Sequence, residues 1–108
     1  MKAKELMQRI KSKKPPTVVD VRSGFEYHDS HIPGAIHAPA WKILFKAASL
    51  PNDKSAEVVV TCEHGPRASM AQGLLGLIGY RNVTLLEGHM AGWRGAGLPI
   101  ETEAKPVS

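Results

Sequence analysis

The sequence predicts one α/β domain built around a parallel sheet, and three observations carry that prediction. Short apolar runs alternate with segments whose apolar residues recur at helical spacing. Proline and glycine stand at the joints between them. A chain of 108 residues with 43% hydrophobic content suits a single core and is too small for two.

Taken in order, Lys4 to Lys11 reads as a helix with Leu6, Met7 and Ile10 on one face, and Pro15-Pro16 stops it before a strand from Thr17 to Val21. Ala35 to Ala38 is a short second strand, and Trp41 to Leu50 a second helix. Glu57 to Thr61 is the strand that ends on Cys62. The helix from Ala68 to about Ile78 buries Ala71, Leu74, Leu75 and Ile78 at the i, i+3, i+4, i+7 spacing. Gly73 and Gly76 weaken that helix and are read as room for a close approach to the sheet; Gly79 caps it. Val83 to Leu86 is the last strand. The domain is expected to span residues 1–102, with 103–108 a frayed tail. There are no internal repeats or low-complexity segments.

In an open α/β sheet the site lies at the carboxyl ends of the strands. The one cysteine is there. Cys62 follows Val58-Val59-Val60-Thr61 and precedes Glu63-His64-Gly65-Pro66-Arg67, a tight loop that opens a helix. Loop amides and the positive end of a helix stabilise a thiolate at such a place. A cysteine at its reference pKa of about 8.5 is only a few per cent thiolate at neutral pH, and lowering that by about two units takes about 2.7 kcal/mol. Cys62 alone divides evenly between a nucleophile and an inert core thiol. The loop favours the nucleophile: Gly65 lets amides converge, Pro66 stiffens the turn and Arg67 adds a permanent charge.

These residues resemble the active-site loop of the rhodanese domain in its short single-domain form. That loop reads Cys-x-x-Gly-x-Arg and a small residue, matched by Cys62, Gly65, Arg67 and Ala68. Three more segments are similar to the family's motifs. They are Val18-Val19-Asp20-Val21-Arg22 with Glu26-Tyr27, then His31-Ile32-Pro33-Gly34-Ala35-Ile36, and Leu86-Glu87-Gly88-His89-Met90-Ala91-Gly92-Trp93 with Gly97-Leu98-Pro99. The match runs from about Thr17 to Glu101. It implies a three-layer α/β/α sandwich with a central parallel sheet of four or five strands.

The resemblance implies a sulfurtransferase: Cys62 takes the outer sulfur of a donor such as thiosulfate as a persulfide, then passes it to a thiophilic acceptor, cyanide or a cellular thiol. No metal or organic cofactor is implied. Two alternatives remain, a persulfide carrier serving protein partners and a thiol-based phosphatase or arsenate reductase. Four residues separate Cys62 from Arg67, whereas the related phosphatases carry five in a wider loop. The shorter cradle suits one sulfur atom. An intact nucleophile argues against a purely regulatory module.

Supporting roles divide unevenly. Arg67 either binds the anionic donor or braces the loop through its carbonyls. Asp20, Arg22 and Glu26 read as structural supports, as does His31, its ring hydrogen-bonded in the Pro33-Gly34 turn. Trp93 reads as core. Glu63, beside the nucleophile, departs from the family pattern: it opposes the thiolate if it faces the pocket and is inert if it points to solvent. His64 and His89 read as solvated; His89, where a second glycine is more usual, is also a candidate for narrowing the pocket.

Charge concentrates at the amino terminus. Residues 1–14 hold six basic side chains (Lys2, Lys4, Arg9, Lys11, Lys13, Lys14) against Glu5 alone. A solvated helix face accounts for this, with an acidic protein partner as the docking alternative. Nucleic-acid binding lacks interleaved aromatics. No apolar stretch approaches the roughly 20 residues of a membrane span and no signal-peptide pattern opens the chain, so a cytoplasmic location is the expectation.

Overall fold

The computed structural model describes residues 1–45 and 48–102. The elements follow in the order α1 (Ala3–Ile10), β1 (Thr17–Asp20), α2 (Gly24–Asp29), β2 (Ile36–His37), α3 (Ala40–Leu44), β3 (Val58–Thr61), α4 (Pro66–Leu77), β4 (Val83–Leu85) and α5 (His89–Gly95). Successive residues of a strand face opposite sides of its sheet, and here both sides are apolar. Val19, Val21, Val58 and Val60 join Cys62, Ala68, Ala71 and Leu75 in one cluster. Val18 and Val59 join Leu6, Tyr27, Met90 and Trp93 in the other. Helices α3 and α4 therefore cover one face, and α1, α2 and α5 the other. This is the three-layer sandwich.

The four strands are all parallel, in the order β2-β1-β3-β4, with Val19 opposite Ile36 on one side and Val60 on the other. After β1 the chain adds β2 at one edge and then crosses to add β3 at the other. That reversal opens a crevice at the carboxyl ends of β1 and β3, beyond Asp20 and Thr61. Cys62 is the next residue.

Three expectations about helices change. The second helix stops at Leu44. Lys46 and Ala47 lie outside the described residues, and Ala48 and Leu50 pack on the first cluster from a non-helical segment. A Cβ at Gly73 or Gly76 would meet nothing within 4 Å, so neither glycine serves a close approach; both lie on the exposed side of α4. Helices α2 and α5 were not expected, although α2 carries a sequence signal. Ser23 and Glu26 form a complete capping box, each side chain bonding the other's amide. Gly79 does cap α4: at φ +107 it lets the Gly79 and Tyr80 amides bond the Gly76 and Leu75 carbonyls in a Schellman motif.

The basic amino-terminal segment runs down the sheet, away from Cys62. The Met1 ammonium donates to the Leu85 carbonyl at 2.8 Å, and Arg9 pairs with Glu57 just before β3. The exposed Lys11, Lys13 and Lys14 thus lie at the amino end of the sheet. The four residues of β3 put about 13 Å between that end and the crevice. The expected tail, Glu103–Ser108, lies outside the described residues. No described helix is long and apolar enough to cross a membrane.

Candidate active site

Where β3 ends, Cys62 is held from both sides. Its carbonyl accepts the Met90 amide at 2.9 Å, and its own amide donates to Nδ1 of His89 at 3.3 Å. The side chain is fully buried in the cluster with Val21, Ala38 and Ala68. Its Sγ accepts the Gly65 N–H at 2.9 Å. Gly65 adopts φ +132, and a Cβ there would stand 3.3 Å from Nε2 of His89, so only glycine brings this amide onto the sulfur. Pro66 follows at the first helical position, where its missing N–H loses nothing. The twelve-residue α4 directs its positive end at the loop.

Arg67 reaches neither into the loop nor to its carbonyls among the described contacts. Its guanidinium grips Glu26 with both amino groups, at 2.6 and 3.0 Å. These bonds hold the Glu26 carboxyl down at about 2 against the effect of burial, and the Ser23 amide and hydroxyl reinforce them. In return Glu26 raises Arg67, with smaller contributions from the charges of Cys62 and Asp20. The pair ties the start of α4 to α2, across the crevice.

A second ion network lies beneath the loop. Arg22 is 2% exposed and bonds both oxygens of the fully buried Asp20 through Nε and Nη2, the Ser30 carbonyl at 2.5 Å, and Glu63 Oε1 at 3.3 Å. Burial alone would lower the Arg22 pKa; Asp20, by hydrogen bonds and charge, and then Glu63 more than reverse this. The other Glu63 oxygen pairs with Arg94 of α5. The two positions envisaged for Glu63 are therefore both corrected. Its carboxylate neither opposes the thiolate as a bare charge nor floats in solvent, because two guanidiniums neutralise it.

His89 is corrected as well. It is 8% exposed rather than solvated, while His64 is exposed as expected. Burial, and then the charge of His64, push its pKa down, and its Nδ1 accepts from the Cys62 amide. Its φ of +51 follows the left-handed Gly88, a conformation that costs a non-glycine residue about 1 kcal/mol. That explains the second glycine more usual in the family motif. His31 bonds the Tyr27 carbonyl at 2.7 Å and stacks on its ring at 3.9 Å, not on the Pro33-Gly34 turn; the Gly34 amide goes to Glu101. Trp93 is fully buried, its Nε1–H donating to the Pro99 carbonyl at 2.8 Å.

A groove of about 710 Å³ opens on this assembly between α2, α3 and α4. Val21 of the strand end and Arg67 and Met70 of α4 line it together with Trp41 and Lys42 of α3. Trp41, Lys42, Met70 and Arg94 carry no motif that marks them along the chain. Trp41 and Met70 gave a weak signal as large apolar residues on faces that the helix pattern leaves outward. Among the described residues no cluster of three or more His, Cys, Asp or Glu is placed to hold a metal ion.

Comparison with known proteins agrees with this architecture. The family model for the rhodanese-like domain matches residues 2–96. A protein named sulfurtransferase from Allochromatium vinosum is 32% identical over 98 residues, covering 91% of this chain and 90% of its own. The thiosulfate:glutathione sulfurtransferase of Saccharomyces cerevisiae is 35% identical over 82% of this chain and 73% of its own. The crystal structure of the Alr3790 protein from Anabaena superposes with a TM-score of 0.82 at 32% identity, over 94% of this chain and 81% of that one. Three further relatives are longer proteins, of which the chain spans 39% to 59%.

Proposed function

The chain belongs to the rhodanese-like domain family, and on that premise we propose that it is a sulfurtransferase with Cys62 as its nucleophile. The observation that carries this reading is the Gly65 N–H on Sγ at 2.9 Å, at the amino end of α4. It is a donor aimed at the atom on which negative charge resides. The sequence of Glu63, which argued against an anionic site, is answered by Arg22 and Arg94.

The Cys62 thiolate attacks the outer sulfur of a donor such as thiosulfate. The bond between that sulfur and the sulfonyl sulfur breaks, and sulfite leaves with the electron pair. The outer sulfur of Cys62–S–S⁻ is then taken by a nucleophilic acceptor, cyanide or a thiolate, and the cysteine thiolate returns. Sγ is buried, and the groove bordered by its core neighbour Val21 and by Arg67 is the approach this reading assigns to an anionic donor, which there competes with Glu26 for Arg67. Phosphoryl chemistry is the weaker reading. One converging amide and four intervening residues do not make the wider ring of donors that a tetrahedral oxyanion needs.

Intact-protein mass after incubation with thiosulfate tests this. One added sulfur atom, removed by cyanide, is expected. Cys62→Ser should lose the adduct and all turnover with an unchanged circular dichroism spectrum, since its hydroxyl stays protonated at neutral pH. Appreciable turnover by the folded variant would overturn the assignment.

A further inference from the structure

The groove that Val21 and Arg67 border is flanked by exposed large apolar side chains of α3 and α4. Trp41 is 57% exposed and Met70 63%, and one turn further along α3 stand Leu44 and Phe45, the latter 78% exposed. Ile43, between them, points inward to the core, so α3 presents a deliberate outer face rather than a displaced core face. Contiguous exposed apolar surface of this kind marks a site of association.

Charge narrows the choice of occupant. Arg22, Lys42 and Arg67 line the groove, and among the described residues no Asp or Glu lines it, although Asp20 and Glu26 pair with Arg22 and Arg67. Arg22 and Arg67 are already paired, whereas Lys42 lies over the Trp41 ring at 5.6 Å and meets no carboxylate among the described residues. The surface thus offers an apolar platform edged by a cation, at the end of the sheet where Cys62 lies. The lysines of residues 11–14 lie at the other end, where a bound protein would hold its thiol away from Cys62.

We propose that the groove and the outer face of α3 form the docking surface for the sulfur acceptor, and that this acceptor is a partner protein whose cysteine sits in an apolar, acidic segment. The proposal rests on the sulfurtransferase reading and names its acceptor. The partner's thiol enters as the thiolate, its proton released to water. It attacks the outer sulfur of Cys62–S–S⁻, the Cys62–S bond to that sulfur breaks with the electron pair going to Cys62, and the partner leaves as the persulfide R–S–S⁻.

The test compares three acceptors with thiosulfate as donor: cyanide, an acetylated hexapeptide with cysteine flanked by leucine, phenylalanine and two aspartates, and its counterpart with lysines for the aspartates. The acidic peptide should show a kcat/KM about tenfold above the lysine peptide at low salt, with the gap closing as salt rises. Trp41→Ala and Lys42→Glu should each reduce the ratio of acidic-peptide to cyanide kcat/KM about fivefold or more. Docking should also blue-shift the fluorescence of Trp41, since Trp93 is already buried.

Equal rates for the two peptides, or a ratio that Trp41→Ala leaves unchanged, would overturn the proposal. Free cysteine serving as well as the acidic peptide would assign the groove to small thiols instead. Self-association in sedimentation that Trp41→Ala abolishes would assign the face to a second copy of this chain. Absence of transfer to cyanide as well would bring down the sulfurtransferase reading itself, which separates the two failures.

Discussion

The two ends of the sheet carry charge in opposite ways. At the amino end, the exposed lysines of residues 11–14 account for much of the formal net charge of +4. At the carboxyl end, Asp20, Arg22, Glu63 and Arg94 form one connected network, and Glu26 and Arg67 a second pair. The first region is conspicuous in a count of charges and remote from the thiol. The second is nearly silent in that count, because its charges cancel, and it surrounds the thiol. Charge that is paired and buried fixes a geometry; charge that is solvated sets solubility and long-range attraction.

The largest expected difference between the ends comes from Arg22. Arg22→Leu leaves Asp20 buried with its partner gone, which should destabilise the fold by about 3–5 kcal/mol in urea unfolding. A loss below about 1 kcal/mol would mean that the carboxyl end is no more constrained than the amino end.

A smaller effect should come from Glu26→Gln, because this pair is partly exposed and screened, worth about 0.5–1 kcal/mol at neutral pH. Here the dependence on pH is the sharper readout. A carboxyl lowered in the fold stabilises it above the unfolded value near 4.5, and that contribution is lost as pH falls toward the folded value of about 2. Melting temperature of the parent protein should fall across that window, less steeply in Glu26→Gln. Parallel curves would show that Glu26 is not held by Arg67 in solution.

The smallest effect belongs to the amino end. Replacing Lys11, Lys13 and Lys14 together by Gln should change unfolding free energy by about 0.5 kcal/mol or less and leave sulfur transfer to cyanide unchanged. A marked drop in transfer would join the two ends functionally and break the comparison.

Much of this architecture was legible along the chain because its signals are local. Valine runs set the strands, the i, i+3, i+4, i+7 spacing set α4, and Gly79 marked its end. Helix α2 carries a local signal too, in the Ser23 and Glu26 capping box. Helix α3 ends at Leu44 rather than Leu50, and Ala48 and Leu50 reach the core from non-helical backbone. The loop from Cys62 to Arg67 announced itself by composition, and the order of strand, thiol, glycine, proline and helix already placed a sulfur at the mouth of a parallel sheet.

What the order of residues could not contain is which side chains meet across it. Arg67 could have faced the donor, the loop carbonyls or another element, and only the approach of α2 to α4 made Glu26 its partner. Glu63 looked like a liability beside Cys62 until α5 brought Arg94 to it and β1 brought Arg22. His89 looked solvated until its left-handed backbone turned the ring under Gly65. The sequence by itself determined the strands, helices α1 and α4 and the position of the thiol after β3, since each depends on residues within a few positions of one another. The tertiary structure decided the ion pairs, the burial of His89 and the groove beside α3, since each joins residues far apart in the chain and exists only once the layers have packed.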